Sequence, residues 1–215
     1  MIITVGGIKG GTGKTTISIN LAIELAKANK DVLLIDADDQ GTATDFAALR
    51  DQQGEGLVSY TSIQLSGKTV REQVLKLKDK FDCIVIDTGG RDTTSQRAAL
   101  SVSHLLLVPL APRSFDVWTL DLISSLVEEI STINPTLKAF AFLNKADVRG
   151  SENATAQDII EEQKNIDALP IVVSNRKAFS DACAMGKAVS EHAKKGHKAL
   201  LEVQKLSNFI LKYNL

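Results

Sequence analysis

A short apolar run, Ile2-Ile3-Thr4-Val5, gives way to Ile8-Lys9-Gly10-Gly11-Thr12-Gly13-Lys14-Thr15-Thr16, and an amphipathic segment then runs from about Lys14 to Asn29. Strand, glycine-rich loop and helix in that order form a cradle for phosphate, and few local patterns restrict a fold so tightly. The glycines let backbone N–H groups turn inward without a Cβ clash. The helix start at Lys14 adds unpaired N–H donors and the positive end of a dipole. In this reading Gly10 to Thr16 wrap the phosphates, the Lys14 ammonium reaches the β- and γ-phosphates, and the Thr15 hydroxyl ligates Mg²⁺. The strict pattern G-x-x-x-x-G-K-[ST] is not met, because Ile8 stands where its first glycine belongs; an extra lysine, Lys9, precedes the glycine pair instead.

Further apolar runs recur along the chain at Val32–Ile35, Cys83–Ile86, Leu105–Val108, Ala139–Leu143 and Ile171–Val173, each followed by a longer periodic segment. Continuous rather than alternating hydrophobicity means burial on both faces, as in a parallel sheet covered by helices. The clearest helix spans Ser114 to Ile133, with Ser114 as its cap, Asn134-Pro135 as its stop and a broad stripe from Val117 and Trp118 through Leu120, Leu122, Ile123, Leu126, Val127 and Ile130. Leu57 to Ile63 is expected as an added edge strand and Val70 to Lys80 as a short helix with a basic face. The alternation predicts an α/β doubly wound, mostly parallel sheet with right-handed crossovers, in one domain over residues 1–215. Ligands of such sheets sit at the carboxyl ends of the strands.

Two of those ends are acidic: Ile35 is followed by Asp36-Ala37-Asp38-Asp39-Gln40, and Ile86 by Asp87-Thr88-Gly89-Gly90. An apolar strand that delivers one carboxylate is the Walker B pattern, so Asp87 is directed at Mg²⁺, and the glycine pair behind it suits a loop that senses the γ-phosphate. An aspartate cluster after a strand also makes ordinary turns and caps, so Asp36 and Asp38 gain meaning only from sharing an edge with the loop. After the fifth run comes Leu143-Asn144-Lys145-Ala146-Asp147. Read alone, N-K-x-D is the guanine-reading motif of GTPases, which leaves the base open between adenine and guanine.

A net charge of −1 over 215 residues does not announce a polyanion partner, but from Pro170 to Leu215 eight Lys/Arg face three carboxylates. Charge asymmetry between parts of a chain suggests either a polyanion-facing surface or a solvated terminal helix. Cys83 and Cys183 lack metal-ligand spacing and are expected as reduced core thiols, and His104, His192 and His197 as structural or solvated. No stretch approaches a membrane span.

The sequence K-G-G-x-G-K-[ST]-[ST], Lys9 to Thr16, resembles the deviant Walker A loop of the ParA/MinD family of P-loop ATPases, and the likeness extends over nearly the whole chain. It implies ATP over GTP, with Mg²⁺, and a homodimer in the ATP state in which Lys9 crosses the interface to the other protomer's nucleotide. Asp36-Ala37-Asp38-Asp39-Gln40 resembles the family's D-x-D-P-Q segment. That likeness places Asp36 near the Mg²⁺ shell and Asp38 on the attacking water, with Asp39 in place of a proline. Asn144 is similarly placed to contact adenine. Ser174-Asn175-Arg176 through Gly186-Lys187 resembles the stretch from which the family's dimers touch DNA without sequence preference, so Arg176, Lys177 and Lys187 become DNA-contact candidates, extended by Lys194, Lys195 and Lys198. The resemblance implies slow hydrolysis, since Arg91 is not expected to act as a finger in cis. It also implies a ParB-like or small centromere-binding partner, a cytoplasmic, nucleoid-associated location and a plasmid or chromosome cargo. A MinD-like membrane-associated regulator is the alternative; the single lysine in Leu211-Lys212-Tyr213-Asn214-Leu215 argues for packing of the last helix, Gly196 to Tyr213, and against stable membrane association. An amidotransferase-type ligase on the same fold would need an added substrate domain. The loop's place within the first ten residues matches short members without a leading helix-turn-helix.

Overall fold

The computed structural model describes residues 1–53, 56–112, 117–148 and 152–213, with the side chains of Val117 and Trp118 left aside. Seven strands form one all-parallel sheet: β1 (Ile2–Val5), β2 (Val32–Asp36), β3 (Thr61–Gln64), β4 (Cys83–Asp87), β5 (Leu105–Leu110), β6 (Lys138–Ala146) and β7 (Asp167–Ser174), in the order β3-β2-β4-β1-β5-β6-β7. Helices α1 (Lys14–Lys27), α2 (Thr42–Asp51) and α9 (Lys198–Lys212) cover one face. Helices α3 (Thr69–Leu77), α4 (Thr94–Leu100), α5 (Val117–Ser131) and α6 (Glu152–Glu161) cover the other, while α7 (Lys177–Cys183) and α8 (Val189–His192) lead into α9.

The strands between the edge strands β3 and β7 are buried on both sides over most of their length, and the two-residue period assigns each side chain to a face. Ile3, Val5, Leu34, Val85, Leu105 and Leu107 join α1 and α9 in one core cluster. Their neighbours Ile2, Leu33, Ile35, Ile84 and Ile86 face α3 and α4, and Leu106 and Val108 face α5.

The strand register sets the site. Val5 lies opposite Asp87, and Asp87 opposite Asp36, so the carboxyl ends of β1, β2 and β4 finish level. The chain crosses over β1 between β4 and β5, which opens the crevice expected at a topological switch point.

Several expectations need correction. The edge strand is β3, Thr61–Gln64, not Leu57 to Ile63: Val58 and Tyr60 turn toward the core, and the Val58 carbonyl accepts from Arg50 at 2.7 Å. β7 starts at Asp167, ahead of Pro170, because a register irregularity opposite Ala141 and Leu143 takes up the extra residues and β7 is an edge strand. Ser114, the expected cap of α5, lies outside the described residues, and Leu122 of the expected stripe is 58% exposed. Asn134 does more than end a helix, since its amide donates to the Leu100 and Ser103 carbonyls at 2.8 Å each. Cys183 is exposed, not a core thiol; Cys83 is buried. His104 Nδ1 accepts from Ile2 N, and His197 Nδ1 caps α9 through Ala199 N.

Candidate nucleotide site

The loop between β1 and α1 turns on two left-handed glycines, Gly11 (φ 77°) and Gly13 (φ 90°), of which Gly13 caps α1. A side chain at Gly13 would fall on the Asn144 amide nitrogen. Lys14 opens α1 almost fully buried, and its ammonium donates 2.7 Å to the Lys9 carbonyl. Burial lowers the Lys14 pKa, and the nearby Asp87 and Asp38 carboxylates oppose that shift. An ammonium held in place by backbone and carboxylates, beside a ring of amide N–H groups, is suited to a polyphosphate.

Asp87 at the end of β4 has no exposed surface. Ser18 Oγ, one turn into α1, donates 2.8 Å to its Oδ1 and also bonds the Lys14 carbonyl. Burial pushes the Asp87 carboxyl up to about 7, with Asp36 adding to the rise, while the Thr15 and Ser18 hydroxyls and Lys14 pull the other way. Its second oxygen, Oδ2, is buried without a hydrogen bond. An orphaned carboxylate oxygen near the Thr15 hydroxyl fits a hard divalent cation, so Thr15 and Asp87 are the residues that would hold Mg²⁺. Among the described residues no group of three His, Cys, Asp or Glu could hold a metal ion. When bound, Mg²⁺ neutralises charge that develops on the phosphates.

Asp36 pairs in register with Asp87 and also binds the start of α2. It is fully buried, and its oxygens accept from Thr44 N at 2.8 Å, Thr44 Oγ1 at 2.9 Å and Asp38 N at 3.2 Å. It fastens the first turn of α2 while lying level with Asp87 across the β2–β4 pair. Asp38 is half-buried, accepts from Gln40 N at 3.2 Å, and lies so close to Gly89 that a Cβ there would sit 3.1 Å from its Oδ1.

The loop after β4 is packed onto the glycine loop. A Cβ on Gly90 would come within 2.6 Å of both Gly10 Cα and Gly10 N. Sequence reasoning missed the connector: buried Gln96 of α4 presents Oε1 to Gly7 N at 3.4 Å and Thr88 Oγ1 at 3.2 Å. No sequence signal marks Gln96, although Thr93 three residues earlier is a recognisable cap whose hydroxyl accepts from Gln96 N.

Beside Gly13 and Thr16 lies a pocket of about 390 Å³ walled by Asn144, Asn175, Arg176 and Phe179, with Cys183 at its lining. That volume suits the nucleoside end of a nucleotide. A groove of about 550 Å³ between α2 and β3 contains no residue of the glycine loop. Asn144 does not reach freely into the base pocket: its amide donates 2.7 Å to the Thr12 carbonyl. Arg176 is engaged as well. It clasps Glu202 of α9 in a bidentate pair, closest distance 2.7 Å, with its side chain 18% exposed. The pair holds the pocket wall and leaves the Arg176 side chain partly exposed. Lys177 is exposed, Lys187 half-buried near Lys27. Lys9 is half-buried at the rim of the loop.

A profile of the CobQ/CobB/MinD/ParA nucleotide binding domain matches residues 3–189. The chain belongs to this family. A carboxysome distribution protein A from Halothiobacillus neapolitanus is 27% identical over 97% of this chain and 95% of its own length. The chromosome-partitioning ATPase Soj of Thermus thermophilus is 24% identical over 86% and 85%. Among solved structures, an ATP complex of a Cyanothece McdA variant superposes with a TM-score of 0.77 at 16% identity, covering 100% of this chain and 97% of that one. The fold is therefore that of the MinD/ParA nucleotide-binding family; the solved structures it resembles include that McdA variant with ATP and a septum site-determining MinD of Pyrococcus horikoshii with Mg-ADP.

Proposed function

We propose that this ParA/MinD-family ATPase positions a DNA-linked cargo. Two protomers close face to face on Mg²⁺ and ATP with Lys9 at the seam, and the dimer binds DNA without sequence preference. A ParB-like or small centromere-binding protein stimulates an otherwise slow hydrolysis and releases it. Asp38, held against Gly89 near the phosphate loop, is the group that orients water. The observation that carries the DNA reading is the carboxyl-terminal surface. Lys177, Lys194, Lys195, Lys198, Lys205 and Lys212 are all exposed, while Leu200, Val203, Leu206 and Ile210 turn α9 inward against the sheet. A helix whose apolar side is already buried has little left to offer a lipid surface, and no described helix is long and apolar enough to cross a membrane.

The names of the relatives, carboxysome distribution and chromosome partitioning, bracket the kinds of cargo; a plasmid or chromosome region is our reading, in a cytoplasmic, nucleoid-associated setting. The test is DNA retardation with ATP, with ADP and without nucleotide, repeated over a salt series. ATP-dependent binding that weakens steeply with salt is expected. Equal binding in all three states overturns the switch, and ATP-dependent sedimentation with liposomes in place of DNA binding would establish the MinD-like alternative.

A further inference from the structure

A peptide group is planar and trans, so fixing the direction of one carbonyl fixes the opposite direction of the next residue's N–H. In the glycine loop the Gly11 carbonyl shares its peptide with Thr12 N–H, and the Thr12 carbonyl with Gly13 N–H. Both carbonyls are held from one place. Lys145 Nζ donates 2.8 Å to the Gly11 carbonyl, and Asn144 Nδ2 donates 2.7 Å to the Thr12 carbonyl.

Adjacent residues of a regular strand point to opposite faces, so two neighbours would not ordinarily reach one loop. The backbone here supplies the exception. Lys145 has φ 53°, one of two non-glycine residues with positive φ among those described, and the β6–β7 register slips between Asn144 and Ala146. A bulge of this kind re-aims a side chain and is common beside active sites, and a left-handed lysine is a strained conformation that the surroundings must enforce. The loop is shaped to match: a Cβ at Gly13 would strike the Asn144 amide and lie 3.4 Å from Lys145 Cε.

We propose that Lys145 is a positioning residue for phosphate binding, clamping the Gly11 carbonyl outward so that the Thr12 amide faces the phosphates, with Asn144 doing the same for the Gly13 amide. The chemistry assigned to Asn144-Lys145 is thus directed at the loop backbone, not at the edge of a base. The inference rests on ATP being the ligand of this loop.

The test compares Lys145→Met, which keeps the stem and the backbone penalty but loses the donor, with Lys145→Arg, which keeps a donor. Amide hydrogen exchange of residues 10–14 is measured on the protein alone, and ATP, ADP and adenosine are compared by calorimetry or competition. Loss of one hydrogen bond that orders the cradle should weaken ATP and ADP about tenfold in Lys145→Met. Adenosine binding and the melting temperature should be unchanged, exchange at Thr12 and Gly13 should be faster, and Lys145→Arg should recover most of the affinity. Unchanged exchange and unchanged ATP affinity in Lys145→Met overturn the proposal. Equal weakening of adenosine, or altered preference between ATP and GTP, also overturns it by placing Lys145 at the base. Failure of the unmodified chain to bind ATP would overturn the ligand assignment instead, and the exchange measured on the protein alone would still decide the clamp.

Discussion

Replacing Asp87 by asparagine should stabilise the chain at alkaline pH while abolishing its nucleotide chemistry. The carboxyl is fully buried at the end of β4, keeps one oxygen without a hydrogen bond, and is pushed by that burial from 3.8 to about 7. In the unfolded chain the group loses its proton near pH 4. Between that point and pH 7 the folded state binds more protons than the unfolded one, so stability falls as pH rises through this window. A displacement from 3.8 to 7 corresponds to about 4 kcal/mol once both forms are ionised. For a chain of this length that is on the order of 10 °C in melting temperature. Asp87→Asn removes the charge and keeps an acceptor for Ser18. Melting curves from pH 4 to 8, without nucleotide and with EDTA, should therefore converge at the acid end, separate progressively up to about pH 7 and stay apart above it, with the variant the more stable. Adding Mg²⁺ and ATP should raise the melting temperature of the unmodified chain only. Parallel pH profiles for the two proteins would refute the reasoning, because they would mean that Asp87 is solvated or already compensated in the folded chain.

Other substitutions probe the remaining contacts. Gly90→Ala places a methyl group 2.6 Å from the Gly10 backbone, so thermal melts should show a loss of about 1–3 kcal/mol, accompanied by weaker ATP binding in titrations. Glu191→Ala strands the guanidinium of Arg50, whose side chain is 6% exposed and paired at 2.7 Å, and urea unfolding should register a loss of about 3–5 kcal/mol. Lys177→Ala should lower DNA affinity and reduce the steepness of its salt dependence by about one unit without changing stability, whereas Arg176→Ala should lower stability through the lost Glu202 pair; retardation and melting assays separate the two.

How much of this was legible beforehand differs by element. The five inner strands announce themselves because a chain buried on both faces must be apolar at nearly every position, and Val32–Ile35 or Leu105–Val108 leave no other economical placement; Ile171–Val173 carries the same apolar run in an edge strand where Val172 is exposed. The edge strand starts later than Leu57 because the apolar signal there has a different reason: Val58 packs on the core while its carbonyl accepts from Arg50, and pairing with β2 begins only at Thr61. Among the polar residues, Asp87 and Lys14 stand where their motifs place them. Asp36 and Arg176 are also engaged by Thr44 and by Glu202, partners 8 and 26 residues away. Nothing local reveals such a commitment, since it depends on which helix end or strand end is brought alongside.

The chain by itself determined the phosphate loop, the parallel sheet and the acidic strand ends, because glycine dihedral freedom, two-sided burial and strand-end carboxylates are each written in a short local stretch of sequence. Only the tertiary structure decided what each charged group is free to do. Level strand ends bring Asp87 beside Lys14 and leave one of its oxygens unpaired, the start of α2 engages Asp36, and a bulge in β6 swings Lys145 onto the loop. The physical reason is that a charge or amide has one strongest use at a time, and packing chooses the partner.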